Sequence, residues 1–145
     1  MPTIDRLTQI FRLQRELQVE SYGYDPGLMQ GEERTTFIMW NVVALTDELH
    51  EALAETGWKP WATSRHVNEE AFRGELVDAL HFLVNLCLAA DMSADELHAR
   101  YLEKRGINAA RQADGYDGVS TKCPACHRAL DDSAVTCKEG WCEFA

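Results

Sequence analysis

Two acidic pairs carry the chemistry that this sequence can do. Glu48 and Glu51 lie three apart in "ELHEALAETGWKPW", and Glu75 and Asp78 repeat that spacing in "GELVDALHF". Residues three apart on a helix share a face. Packed antiparallel, two helices with such pairs bring four carboxylates together, and like charges at close range repel. A cation makes the arrangement stable, and an oxygen-only donor set selects a hard ion, Mg²⁺ or Mn²⁺. The competing reading is a pair of solvated helix faces. Two pairs on successive helices, each beside apolar positions, weigh toward metal. A di-iron bundle requires Glu-x-x-His on two helices, and only Asp78 with His81 approaches that pattern.

The elements that position these acids are helical. Residues 3 to about 20 carry apolar side chains at helical spacing, with Asp5 suited to the first turn. "SYGYDPGLMQG" then breaks the pattern. A second helix is predicted from about 33 to 55, stopping at Gly57. "WKPWATSRHV" reads as a loop, and a third helix is predicted over 68–90. Ser93 with Glu96 three positions on forms a capping box for a fourth, running to about residue 112. "DGYDG" reads as a turn. Leu45, Leu49, Ala52, Leu76, Val77 and Leu80 flank the acids and are predicted to be core. No strand pattern stands out. The fold class is therefore all-α, a bundle of four or five helices.

Composition bounds the partners. The 145 residues carry a formal net charge of −10, which argues against a long nucleic acid as partner. A small phosphorylated substrate, bound through a metal, is compatible with that charge. No apolar run has the length of a membrane span, and "MPTIDRLTQIF" lacks the layout of a signal peptide, so a cytoplasmic location is expected. Cys87 sits inside an apolar run and reads as a buried structural thiol. Cys123, Cys126, Cys137 and Cys142 crowd the last 23 residues. Two close pairs around a ten-residue loop suit one tetrahedral Zn²⁺, with His127 as a substitute ligand. Such a short module has almost no core, so metal would supply its folding energy. Residues 119–145 set Lys122, Arg128 and Lys138 against Asp131, Asp132, Glu139 and Glu143, which favours a structural staple or subunit contact over DNA binding. The expected organisation is a helical domain over 1–118 and a four-cysteine appendage, a zinc ribbon or knuckle, over 119–145.

Over about residues 4–118 the chain resembles the all-α nucleoside triphosphate pyrophosphatases, the MazG-like enzymes and dimeric dUTPases. "TDELHEALAETGWKPW" and "GELVDALHFLVNL" resemble their two acidic helices. "GWKPW", "LTQIFRLQREL" and "KRGINAARQADGY" are similar to the loop, opening helix and distal phosphate-contacting segment of the dUTPase branch. The resemblance implies metal-dependent hydrolysis of a deoxynucleoside triphosphate to the monophosphate and pyrophosphate. It makes dUTP the default substrate, with dGTP or another purine close behind in compact phage-type relatives. Phosphoryl transfer needs charge neutralisation and an aligned water more than a protein nucleophile. Glu48 is the preferred proton acceptor.

Other residues gain meaning beside that site. Lys59 lies between Trp58 and Trp61; it is either a triphosphate contact or an exposed loop cation. Either tryptophan could stack on a base or close the helix turn. Lys104, Asn108 and Arg111 share one face of the fourth helix, an ordinary solvated stripe or a phosphate clamp, and Tyr116 could add a hydroxyl. Gln14, Gln18 and Asn85 could meet a base edge, and an amide within "HFLVNLCLA" needs partners. Base readers are expected at Gln14, Trp61 and Asn85, with a satisfied core amide the alternative for Asn85. His81 reads as a core or supporting histidine. A short bundle leaves an apolar face to cover, so a homo-oligomer, dimer or tetramer, is expected. The rival to an enzyme is a zinc-bearing helical interaction module whose acids are plain surface.

Overall fold

The computed structural model describes residues 5–113. Four α-helices and one short 3₁₀ turn make up the regular structure of those residues: α1 (Arg6–Tyr22), the turn Pro26–Leu28, α2 (Gly31–Ala54), α3 (Glu69–Ala89) and α4 (Ala94–Ala113). No strand occurs among them. The all-α expectation is met. The turn "DGYDG", Tyr116 and the four-cysteine appendage lie outside the described residues. Two compact units divide the chain, residues 1–99 and 100–145.

Three helix ends have a local cause. Asp5 caps α1: its Oδ1 accepts from the Thr8 backbone N–H at 3.0 Å and its Oδ2 from the Thr8 hydroxyl at 2.6 Å. Gly23 ends α1 at φ 78°, a left-handed conformation glycine adopts without strain. Ser93 Oγ accepts from the Glu96 backbone N–H at 3.1 Å, the cap read from the sequence. Gly57, read above as the stop of α2, has a different duty. The helix already ends at Ala54, and Gly57 permits a close backbone crossing. A Cβ at Gly57 would stand 2.3 Å from the Ser64 carbonyl oxygen.

The first unit is organised around α2 and α3, the most extensively packed pair of helices. One apolar cluster joins Phe11, Val84, Cys87 and Ala94; another joins Met29, Phe37 and Ala89. Cys87 is buried, as read from the sequence, and burial pushes its thiol pKa up. The core prediction around the acids needs correction. Ala52 is buried and Leu45 half-buried, but Leu49, Leu76, Val77 and Leu80 are exposed in the single chain. The buried positions of α2 and α3 are Phe37, Asn41 and Ala52 on the one and Ala79, Val84, Asn85, Cys87 and Ala89 on the other. Helical periodicity gives an apolar stripe without saying whether the chain's own helices cover it. No single helix among the described residues is long and apolar enough to cross a membrane.

Candidate metal and nucleotide site

Helices α2 and α3 bring three of the four acids together. Carboxylate oxygens of Glu48, Glu51 and Glu75 lie within 4.8 Å of one another. Glu48 and Glu75 are half-buried, whereas Glu51 and Asp78 are exposed. Asp78 falls outside the tight group but contributes to its field. The Glu48 pKa is raised, first by desolvation, then by the charges of Glu51, Asp78 and Glu75. The protein thus favours an extra positive charge here, a proton or a cation. All-oxygen donors from two helices fit a hard divalent ion.

The loop between the acidic helices is closed at its base. Asn68 donates its backbone N–H to the Glu55 carbonyl at 2.9 Å and its side-chain amide to Glu55 Oε2 at 2.8 Å. Arg65 holds the tip, donating to the carbonyls of Gly57 at 2.6 Å, Lys59 at 3.0 Å and Pro60 at 3.1 Å. Lys59 Nζ stands 5.9 Å from the Trp58 ring centroid, within cation–π range. Trp61 is 76% exposed. Arg65 was missed in the sequence. A basic residue in a polar loop gives no signal of the carbonyls it will collect.

Gln14 and Asn85 do meet, inside the bundle. Gln14 Nε2 donates to Asn85 Oδ1 at 2.8 Å, and Asn85 Nδ2 donates to Asn41 Oδ1 at 2.8 Å. Asn41 Nδ2 donates to the Phe37 carbonyl at 2.8 Å, and His81 Nδ1 lies 2.6 Å from Gln14 Oε1. Asn85 is 3% and Gln14 4% exposed, so this is a polar core with its partners in place. Gln18 is buried on α1 as well. Asn41 was also missed; as an amide among apolar residues in "MWNVV" it carried the signal that marked Asn85. In the second unit, Lys104 and Asn108 line one depression with Tyr101 and Arg105, while Arg111 lies further along α4.

A family model described as dUTPase matches residues 6–94, which include all four acids. The chain belongs to this family. Its members are the all-α dUTPase-like and MazG-like nucleoside triphosphate pyrophosphatases. Two phage relatives lie near this dUTPase-family chain. A dCTP pyrophosphatase of Enterobacteria phage LZ5 is 33% identical over 78 residues, 46% of this chain and 45% of the relative. A dCTP pyrophosphatase of Enterobacteria phage T4 is 26% identical over 142 residues, 77% of this chain and 83% of the relative. The chain therefore spans less than half of the first relative's length and most of the second's. No solved structure gives a significant match.

Proposed function

We propose that this chain is a Mg²⁺- or Mn²⁺-dependent deoxynucleoside triphosphate pyrophosphohydrolase, converting dNTP and water to dNMP and pyrophosphate. The observation that carries the reading is the convergence of Glu48, Glu51 and Glu75 within the family-matched segment. Those three acids, with Asp78, would hold the divalent ion. When bound, the ion supplies charge neutralisation for the phosphates. Glu48 is the proposed acceptor of the attacking water's proton. Lys59, Lys104, Asn108, Arg111 and Tyr116 are the proposed phosphate contacts, and Trp61 an aromatic wall for the base.

Family membership points to dUTP, and the names of the phage relatives add dCTP. The purine alternative, dGTP, belongs in the same test. Exposed Trp40, Val43, Leu49 and Val77 support a homo-oligomer in which a second copy covers them. The four-cysteine appendage is proposed to hold one structural Zn²⁺, which metal analysis of the purified protein would detect. The deciding experiment is a panel of dUTP, dCTP, dGTP and dATP with Mg²⁺ or Mn²⁺, assayed for monophosphate and pyrophosphate. Activity is expected with at least one pyrimidine substrate. Release of orthophosphate alone, or no metal-dependent turnover, would overturn the reading.

A further inference from the structure

Asn41 and Asn85 face each other between α2 and α3. The Phe37 carbonyl can only accept, so Asn41 Nδ2 donates to it and Asn41 Oδ1 is turned to accept from Asn85 Nδ2 at 2.8 Å. Asn85 Oδ1 is filled in turn by Gln14 Nε2. Both asparagines are buried, so neither amide can turn to water if its partner moves away. Two further bonds tie α2 to α3, from Arg34 to the Ala89 carbonyl and from Asn68 to Glu55. They lie at the less buried ends of the pair, where water can replace a lost partner.

Equal steps from the two asparagines reach the acids. Glu48 lies seven positions beyond Asn41 on α2, and Asp78 seven before Asn85 on α3. Glu51 lies ten beyond Asn41, and Glu75 ten before Asn85. The helices run antiparallel, since the start of α2 is bonded to the end of α3 and the end of α2 to the start of α3. Equal steps in opposite directions therefore arrive at the same level. Seven residues make about two turns, so Glu48 and Asp78 also share the faces of Asn41 and Asn85. The alignment that joins the two amides is the one that sets Glu48 level with Asp78 and Glu51 level with Glu75.

Apolar packing alone tolerates other alignments, because it is not directional. Ala52 on α2 and Ala79 and Ala89 on α3 are among the buried side chains, and such small residues present little relief against a slide. A slide of one helical turn is about 5.4 Å, more than the 4.8 Å within which Glu48, Glu51 and Glu75 gather their oxygens. It would disperse the acids and strand both amides. We propose that the Asn41–Asn85 bond is the register lock of the acidic site. Asn41 and Asn85 are positioning residues that align Glu48, Glu51, Glu75 and Asp78 for a divalent ion, as a single buried polar residue fixes register between paired helices. This assignment rests on the divalent-ion reading given above.

The test replaces the amide chain with apolar residues of like size. Gln14→Leu, Asn41→Leu and Asn85→Leu together leave none of the three amides unpaired. The variant should keep its helical circular dichroism. Its Mn²⁺ affinity, measured by calorimetry where parent and variant are both folded, should fall more than about tenfold, the scale on which a lost supporting partner weakens a metal site. Hydrogen exchange at the Asn68 amide reads the alignment without metal or turnover, because that N–H donates across to the Glu55 carbonyl at 2.9 Å. The exchange should accelerate. A parent that binds no Mn²⁺ would sink the ion reading, while the exchange would still decide the lock. Asn41→Ser keeps a hydroxyl able to donate to the Phe37 carbonyl and accept from Asn85, and Asn41→Ala keeps neither. The serine variant should protect Asn68 and hold Mn²⁺ better than the alanine variant, a comparison that decides the matter if the leucine variant does not fold. Unchanged Mn²⁺ affinity and Asn68 exchange in the leucine variant, or equal behaviour of the serine and alanine variants, would overturn the assignment. So would a loss of Mn²⁺ with Asn68 still protected.

Discussion

Gln14 on α1 and Asn85 on α3 are joined by a buried 2.8 Å hydrogen bond that spans 71 positions of sequence. The bond ties the opening helix to the helix that carries Glu75 and Asp78. Gln14→Leu leaves Asn85 Oδ1 buried without its donor. The expected loss is about 1–3 kcal/mol, read from urea unfolding. The double change Gln14→Leu with Asn85→Leu should cost less than the sum of the single changes.

Glu48→Gln should separate stability from activity. The folded-state pKa of Glu48 is raised, so folding binds a proton there more tightly than the unfolded chain does. Its repulsion is absent at low pH and grows as pH rises through the folded value. The amide removes that repulsion, so metal-free Glu48→Gln should melt above the parent at neutral pH. Metal-dependent turnover should fall by more than about 100-fold, since loss of a direct ligand outweighs loss of a supporting one. Calorimetry and the pyrophosphate assay check the two halves.

Glu75→Gln and Asp78→Asn are expected to abolish turnover while leaving the helical circular dichroism intact. Both variants should also lose the thermal stabilisation that Mn²⁺ gives the parent, because binding to the folded state stabilises it by mass action. Near-normal activity in both would remove the acids from the mechanism.

Arg65→Ala should free the loop without unfolding the helices. Three carbonyls lose their donor, all of them exposed, so the expected stability change is below about 1 kcal/mol. Limited proteolysis between Trp58 and Ser64 should accelerate, and KM should rise more than kcat falls.

The Arg15–Asp25 pair sets an acid limit. Hydrogen bonds from Arg15, then from the Gly27 backbone N–H, hold the Asp25 pKa below its ordinary value. A depressed carboxylate stabilises the fold fully above its unfolded value of about 3.9 and loses that contribution as pH falls through the folded value. Arg15→Ala should therefore flatten the loss of stability below about pH 4, at a neutral-pH cost under about 1 kcal/mol for so exposed an arginine. Unfolding followed against pH would show it.

The helices were legible because their periodicity and caps are local. The end of α1 moved from residue 20 to Tyr22 because the left-handed glycine at 23, rather than fading periodicity, decides it. Three of the four acids read as one group come together, because spacing puts Glu48 with Glu51 and the packing of α2 on α3 sets Glu75 beside them, while Asp78 stands outside. What stayed hidden is reached across the chain by long side chains. Arg34 Nε donates to the Ala89 carbonyl at 2.7 Å, closing α3 from α2, and Arg65 collects its three carbonyls. Neither has a pattern in one dimension. The amide chain was half legible: Asn85 announced a need for partners, but only the packing of α1, α2 and α3 names them.

The loop tied down by Arg65 and Asn68 has a thermodynamic meaning for any triphosphate that arrives. Gly57 lets two strands of backbone touch, and the bonds from Arg65 and Asn68 close the segment between them. Its conformational entropy is surrendered when the protein folds. In the proposed nucleotide site, the backbone that carries Lys59, Trp58 and Trp61 would therefore meet a ligand already ordered, and less of the interaction energy would be consumed in arranging it.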